Sequence, residues 1–272
     1  MSQDTPATLR RTAEEGARLA GRILADRFLG ERTIEYKGGI DLVTDADRAS
    51  EEALLAFIRE RHPTHAILAE ESGASEGTNH LRWLVDPLDG TTNYAHRVPH
   101  FCVSVAVEGP GGVLAGAVYD PMLDELFSAA RGEGGTLNGR PLRASNVATL
   151  HEALLCTGFP YDVRERPEGP VGLFNRFILR AQGMRRTGSA AMDLAYVAAG
   201  RFDGFFEFGL KPWDIAAGSL LVEEAGGVIR HVTGAPFSVL RGDVIAAAPA
   251  LAPELLAEAK RFVDDLGWKP KG

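Results

Sequence analysis

Apolar residues recur three or four positions apart from Thr5 to Phe28, at Leu9, Ala13, Ala17, Leu19, Ala20, Ile23, Leu24 and Phe28. This period predicts a long amphipathic helix, with Gly30 placed to stop it. A second helix is predicted from about Thr44 to Arg61, with Ala49, Ala53, Leu54, Phe57 and Ile58 on one face and Pro63 beyond its end. The pattern then changes to short runs. AILAEE (66–71) and RWLVD (82–86) are apolar segments that end in carboxylates, and 101–109 and 113–121 alternate around Pro110-Gly111-Gly112 as a hairpin. DELFSAARGEGG adds a strand, and NGRPLRAS is a turn leading into the second half.

Beyond residue 150, helices are predicted near 171–181, 190–199, 215–225 and 253–266, mixed with the strands FDGFFEF and VIAAAP. Sheets layered with helices, an α/β architecture, follow from this alternation. The chain has no internal repeat, low-complexity tract or clear linker, so it reads as one unit over 1–272, with 1–150 and 151–272 as candidate subdomains.

Composition narrows the function. The 272 residues are 45% hydrophobic, enough for a large core, and 29 Lys+Arg against 37 Asp+Glu give a net charge of −8 with no basic block. Nucleic-acid binding therefore lacks its usual electrostatic source. Cys102 and Cys156 sit in apolar runs outside any C-x-x-C pair, which points to buried thiols in a reducing compartment, with a disulfide between them left open. The charged N-terminal stretch resembles neither a signal peptide nor a membrane span, and cytoplasmic residence is the simplest expectation.

The chemistry concentrates in WLVDPLDGTTN (83–93), where two aspartates follow an apolar strand and precede Gly-Thr-Thr. Taken alone, this is most simply a tight turn with Asp89 or Thr91 capping a helix. Glu70 and Glu71 also close a strand, however, and Asp214 stands just before an apolar helical run. Gathered in one place, these carboxylates would resist joint ionisation unless a cation joined them. Oxygen-only ligands favour magnesium, manganese or calcium over zinc, and magnesium commonly shares its coordination with a substrate phosphate. The amides of Gly90, Thr91 and Thr92 at a helix start would favour the same phosphate.

AEES (69–72), WLVDPLDGTTNY (83–94) and KPWDIAAGSLLVEEAGG (211–227) resemble, in order and spacing, the signature segments of the inositol monophosphatase family. TGSAAMDLAYVAAGRFDGFFEFGLKPWD is especially similar to the bacterial inositol-1-monophosphatase branch. The resemblance implies a layered αβαβα sandwich, a homodimer, Mg2+-dependent hydrolysis of a phosphorylated polyol without a covalent intermediate, and inhibition by lithium. It makes Glu70, Asp86, Asp89, Asp214 and the carbonyl of Leu88 metal ligands, with Glu71 adjacent to them. Asp47 and Thr91 would orient the attacking water, and the amides of Gly90 and Thr91 would hold phosphate. Ala190 and Glu207, with Asp89 and Asp214, would contact substrate.

Several positions carry competing readings. Thr44-Asp45-Ala46-Asp47 has the spacing of a helix cap, Lys37 matches the family's lysine that approaches the metal-phosphate site but is equally a solvated loop residue, and Glu207 in FFEFG is ordinarily an outward-facing strand residue. Arg185 and Arg186 suit an anionic substrate, a dimer partner or plain salt bridges. Inositol 1-phosphate is the first substrate expected, with histidinol phosphate, fructose bisphosphate or a nucleotide phosphate as alternatives and a regulatory protein-binding role as a different class. His96 and His100 are spaced i, i+4 but Pro99 interrupts the pair, and His62, His65, His80, His151 and His231 read as scattered singly without zinc spacing. Gly132-Glu133-Gly134-Gly135 completes no nucleotide motif and reads as a turn.

Overall fold

A computed structural model describes residues 4–30, 33–38 and 41–267. Helix α1 (Pro6–Phe28) begins with Thr5 as N-cap, its hydroxyl accepting from the Thr8 amide at 3.2 Å, and buries Leu9, Ala13, Ala17, Ala20, Leu24 and Phe28. The hairpin β1 (Ile34–Gly38) and β2 (Asp41–Thr44) leads into α2 (Asp45–Arg61). The side chain of Lys37 lies outside the described residues.

The next strands form one sheet: β3 (Ala66–Ala69), β4 (Gly73–Ser75), β5 (Arg82–Asp89), then past the short helix α3 (Thr91–Ala95), β6 (Cys102–Gly109), β7 (Gly112–Asp120), β8 (Glu125–Ala130), β9 (Gly134–Leu137) and β10 (Arg140–Pro141). Their spatial order is β10-β9-β8-β7-β6-β5-β3-β4, antiparallel throughout except for the β3–β5 pair. The stretch DELFSAARGEGG is thus two strands, not one. Glu224 explains the break: its carboxylate accepts from the Gly132 and Gly134 amides, both at 2.8 Å, and both glycines have positive φ.

The second sheet combines β11 (Leu154–Thr157), β12 (Gly183–Arg185), β13 (Gly204–Glu207), β14 (Val228–His231) and β15 (Val244–Ala247) in the order β12-β11-β13-β15-β14. Helices α4 (Glu168–Ile178) and α7 (Ala252–Leu266) cover its outer face, while α5 (Ala190–Ala198) and α6 (Pro212–Glu224) lie between the two sheets. With α1 and α2 on the outer face of the first sheet, the layers run α, β, α, β, α as expected.

The middle layer reflects composition. Helix α6 is buried around its circumference from Ile215 to Val222, because both sheets press on it, and a helix apolar on every side belongs in such a place. Small residues permit the approach: a Cβ on Gly116 of β7 would lie 3.0 Å from Ala217 Cα. Outside, α4 and α7 share a polar clasp in which buried Glu258 accepts from Arg176, Arg180 and Arg261. Both cysteines are buried free thiols, which closes the disulfide question. Among the described residues no helix is long and apolar enough to cross a membrane.

Two boundaries differ from expectation. Helix α4 starts at Glu168 because Pro167 and Pro170 are compatible with a first turn, and α6 starts at Pro212, so that Asp214 lies inside the first turn. Gly116→Val should force α6 away from β7 and cost about 1–3 kcal/mol, read as a lower urea midpoint with an unchanged slope.

Candidate active site

Strand pairing alone brings the first two carboxylates together. β3 and β5 run parallel with Ala69 opposite Val85, and the Glu70 amide donates to the Val85 carbonyl at 3.1 Å. Glu70 and Asp86 therefore leave this parallel pair side by side, in the same direction. A bulge in the β5–β6 pairing between Asp86 and Asp89 then turns the chain, and Leu88 N–H donates to Asp86 Oδ1 at 2.9 Å.

Gly90 makes the next turn at φ 95°, where a side chain would approach His100 O at 3.2 Å. The first intrahelical bond of α3 runs from Tyr94 N–H to the Gly90 carbonyl (3.0 Å), so the helix makes no use of the Gly90, Thr91 and Thr92 amides. Asp214 arrives from α6, its Oδ2 accepting from Lys211 N–H at 2.7 Å, and Ser104 Oγ on β6 fixes this entry by donating to the Trp213 carbonyl at 2.9 Å.

A pocket of about 320 Å³ results. Glu70, Asp86, Leu88, Asp89, Gly90, Thr91, Ala190, Glu207 and Asp214 all line it. Burial first, and then the charges of Glu70, Asp89 and Asp214, push the Asp86 carboxyl well above the usual carboxylate range. Asp214 is raised in the same way, by burial and then by Asp89, with further contributions from Glu70 and Glu207. Asp89 is raised by burial, against the donors that hold its Oδ2, Ser189 Oγ and Ala191 N–H, both at 2.7 Å. These donors leave the other Asp89 oxygen to the pocket.

Asp47 caps its helix with one carboxylate oxygen and meets Thr91 with the other. Its Oδ2 accepts from Thr44 N–H at 2.9 Å and from the Thr44 hydroxyl at 2.5 Å, completing a capping box, while Thr91 Oγ1 lies 3.4 Å from Oδ1. The Thr91 hydroxyl also lies 3.0 Å from the Leu88 carbonyl. Burial raises the Asp47 pKa to about 6, outweighing the hydrogen bonds from Thr44.

Other pocket residues carried no clear sequence signal. Gly158 clears space for Glu207, since a Cβ there would stand 2.2 Å from its carboxylate. Ser189 looks like an N-cap, yet its hydroxyl binds Asp89 and makes no cap bond to α5. Asp193, buried and accepting from Thr187 Oγ1 at 2.6 Å, faces the same space as Arg186 and Glu207. Arg186 thus lines the pocket, whereas Arg185 donates to the Met184 carbonyl.

The reading of the histidines as scattered needs correction. His62 and His65 meet Asp4 in a trio whose donor atoms lie within 4.8 Å of one another, the only such trio of His, Cys, Asp or Glu among the described residues. The pocket carboxylates are spread wider. Trp83 Nε1, which can only donate, is 3.0 Å from His65 Nδ1, so the proton of the neutral His65 ring sits on Nε2, 3.2 Å from Asp4. A metal on His65 Nε2 would need the opposite tautomer, so the trio is a hydrogen-bonded tether for the start of α1. It also lies roughly 20 Å along α2 from Asp47. His96 and His100 do not pair: His96 is exposed, while His100 packs edge-on against Tyr196.

Residues 6–264 match the profile of the Inositol monophosphatase family. The chain belongs to the inositol monophosphatase family. It is 44% identical to Nus factor SuhB of Escherichia coli K12 over 93% of this chain and 96% of that protein. The structure of inositol monophosphatase from Anabaena (Nostoc) sp. PCC 7120 superposes with a TM-score of 0.86 at 40% identity, covering 96% of this chain and 99% of that one. An IMPase/NADP phosphatase complexed with Mg2+ and phosphate superposes with a TM-score of 0.76 at 26% identity, covering 86% and 88%.

Membership supports phosphatase chemistry and metal dependence. The donor set suits a hard divalent cation: Glu70, Asp86, Asp89 and Asp214 all offer oxygen, and burial, with the charges of neighbouring acids added to it, raises Asp86 and Asp214.

The linkage gives a direct check. Below about pH 4 Asp47 is protonated whether folded or unfolded, and above about 6 it is ionised in both, so the buried charge lowers stability only at the higher pH. In metal-free protein, Asp47→Asn should therefore gain about 1–3 kcal/mol over the wild type at pH 7.5 and little at pH 4, measured by urea unfolding in a chelator.

Proposed function

We propose that this protein hydrolyses a phosphate monoester of a small polyol, with inositol 1-phosphate as the leading substrate and Mg2+ as the cofactor. The observation that carries the reading is the convergence of Glu70, Asp86, Asp89 and Asp214 on one pocket beside the Gly90–Thr91 turn. We assign Glu70, Asp86, Asp89, Asp214 and the Leu88 carbonyl as the residues that hold magnesium. When bound, magnesium supplies positive charge to the phosphate oxygens and lowers the pKa of water.

The chain's own groups do the rest. The Gly90 and Thr91 amides hold phosphate oxygens and orient phosphorus toward the Asp47–Thr91 pair. With its proton directed to Asp47 Oδ1, the Thr91 hydroxyl presents a lone pair to the attacking water. The proton released ends on Asp47 as the phosphorus–oxygen bond to the polyol breaks, and the leaving oxygen takes a proton from solvent to become the alcohol. Asp47 is suited to this as a weak base, because burial holds its pKa near 6. On the leaving-group side, Glu207 accepts polyol hydroxyls, Ala190 packs against the ring, and Asp89 and Asp214 accept further hydroxyls. In this scheme residues 1–150 supply water activation and all the metal-holding groups but Asp214, and 151–272 supply Asp214 with the substrate-selecting Ala190 and Glu207, within one catalytic unit.

We also read the protein as cytoplasmic and homodimeric, without nucleic-acid or membrane partners. The same chemistry on histidinol phosphate, fructose bisphosphate or a nucleotide phosphate remains the alternative within this class. The name Nus factor SuhB of the Escherichia coli relative favours a second reading, a regulatory protein-binding role on the same fold.

Phosphate release from inositol 1-phosphate, histidinol phosphate, fructose bisphosphate and phosphoadenosine phosphate, with and without Mg2+, tests the proposal. Turnover should require Mg2+, favour inositol 1-phosphate, and fall at least about 100-fold in Asp89→Asn. Silence across the panel from folded protein that binds Mg2+ would move the regulatory reading to first place.

A further inference from the structure

Helix α2 carries a polar stripe that the catalytic assignment uses only in part. Asp47, Ser50 and Glu51 are spaced i, i+3, i+4 on its buried face, ahead of Leu54, Leu55 and Ile58 on the same side. Ser50 is fully buried and Glu51 is 4% exposed. A buried glutamate in a helix interior is costly unless its oxygens are matched, and here both are. Oε2 accepts from the Glu71 amide at 3.0 Å and Oε1 from the Ser72 amide at 2.9 Å. Ser50 Oγ donates to the Pro87 carbonyl at 3.1 Å.

Each contact falls beside a pocket carboxylate. Glu71 and Ser72 follow Glu70, Pro87 follows Asp86, and Thr91, which meets Asp47, lies two residues after Asp89. Two successive amides can point at one carboxylate only when the chain turns there, so Glu51 dictates the turn at the end of β3 and with it the direction of Glu70. Ser50 does the same for the exit of β5. One rigid helix thereby gauges the separation of strand ends whose side chains repel each other.

We propose that Ser50 and Glu51 are positioning residues that set the divalent-cation affinity of the pocket through the backbone of the Glu70 and Asp86 segments, without touching the ion or the substrate. The inference rests on the metal-dependent reading above.

Glu51→Gln keeps shape but turns one acceptor into an amide donor facing an N–H, while Ser50→Ala removes the bond to Pro87. Both are tested on the full chain by calorimetric Mg2+ titration, by Tb3+ luminescence sensitised through Trp213 in the pocket wall, by thermal unfolding in a chelator, and by the Mg2+ dependence of turnover. Glu51→Gln should raise the Mg2+ dissociation constant about 10- to 100-fold, with kcat at saturating Mg2+ within about threefold of the wild type. Ser50→Ala should shift the affinity in the same direction by about 3- to 10-fold, and carries the test if Glu51→Gln does not fold. Folded variants that bind Mg2+ within twofold of the wild type, whatever their melting temperature, would overturn the proposal. So would a loss of kcat that saturating Mg2+ leaves in place. A wild type that binds neither ion overturns the metal-dependent reading and this inference together, whereas a wild type that binds and variants that match it overturn the inference alone.

Discussion

Mutual repulsion among buried carboxylates is the constraint around which this molecule is organised. Burial raises the carboxyls of Asp86, Asp89 and Asp214, and the charges of neighbouring acids, Glu70 among them, add to it at Asp86 and Asp214. Such groups do not assemble by attraction, so the backbone must impose their proximity. Parallel pairing of β3 with β5 places Glu70 and Asp86, a bulge places Asp89, and the Ser104 bond to the start of α6 places Asp214. The large core behind them stabilises the arrangement, because close-packed apolar layers yield little to the repulsion.

The same constraint explains why the pocket lies where the two sheets are joined. Asp89, at the end of a strand of the first sheet, is held by Ser189 and Ala191 at the start of α5. Glu207, from a strand of the second sheet, reaches the same cavity because Gly158 leaves room. Helix α6 lies between the sheets and delivers Asp214, so motion of either sheet against that helix would be felt at the carboxylates.

Much of this was legible beforehand. The apolar period located α1, α5 and α7 nearly to the residue, and the carboxylates closing AILAEE and RWLVD marked the strand ends of the pocket. Helix α2 shows where that reading stops. Its predicted face included Ala49, Ala53 and Phe57, which are only partly buried, whereas the buried face includes Asp47, Ser50 and Glu51. Hydrophobic periodicity treats buried polar residues as exposed, and so rotates the helix wherever hydrogen bonds take the place of apolar contact. His62 and His65 were missed for a related reason: their partners, Asp4 and Trp83, are distant in sequence.

By itself the sequence determined the layered fold and the acidic chemistry, because strand and helix periods, chain-breaking residues and carboxylate-terminated strands are local properties of neighbouring side chains. Tertiary structure alone decided which carboxylates share a pocket, which oxygen of Asp47 caps its helix and which faces Thr91, and that Ser189 serves Asp89 instead of its own helix. Those outcomes depend on distances between segments far apart in the sequence, which are set by the packing of whole layers and leave no periodic trace along the chain.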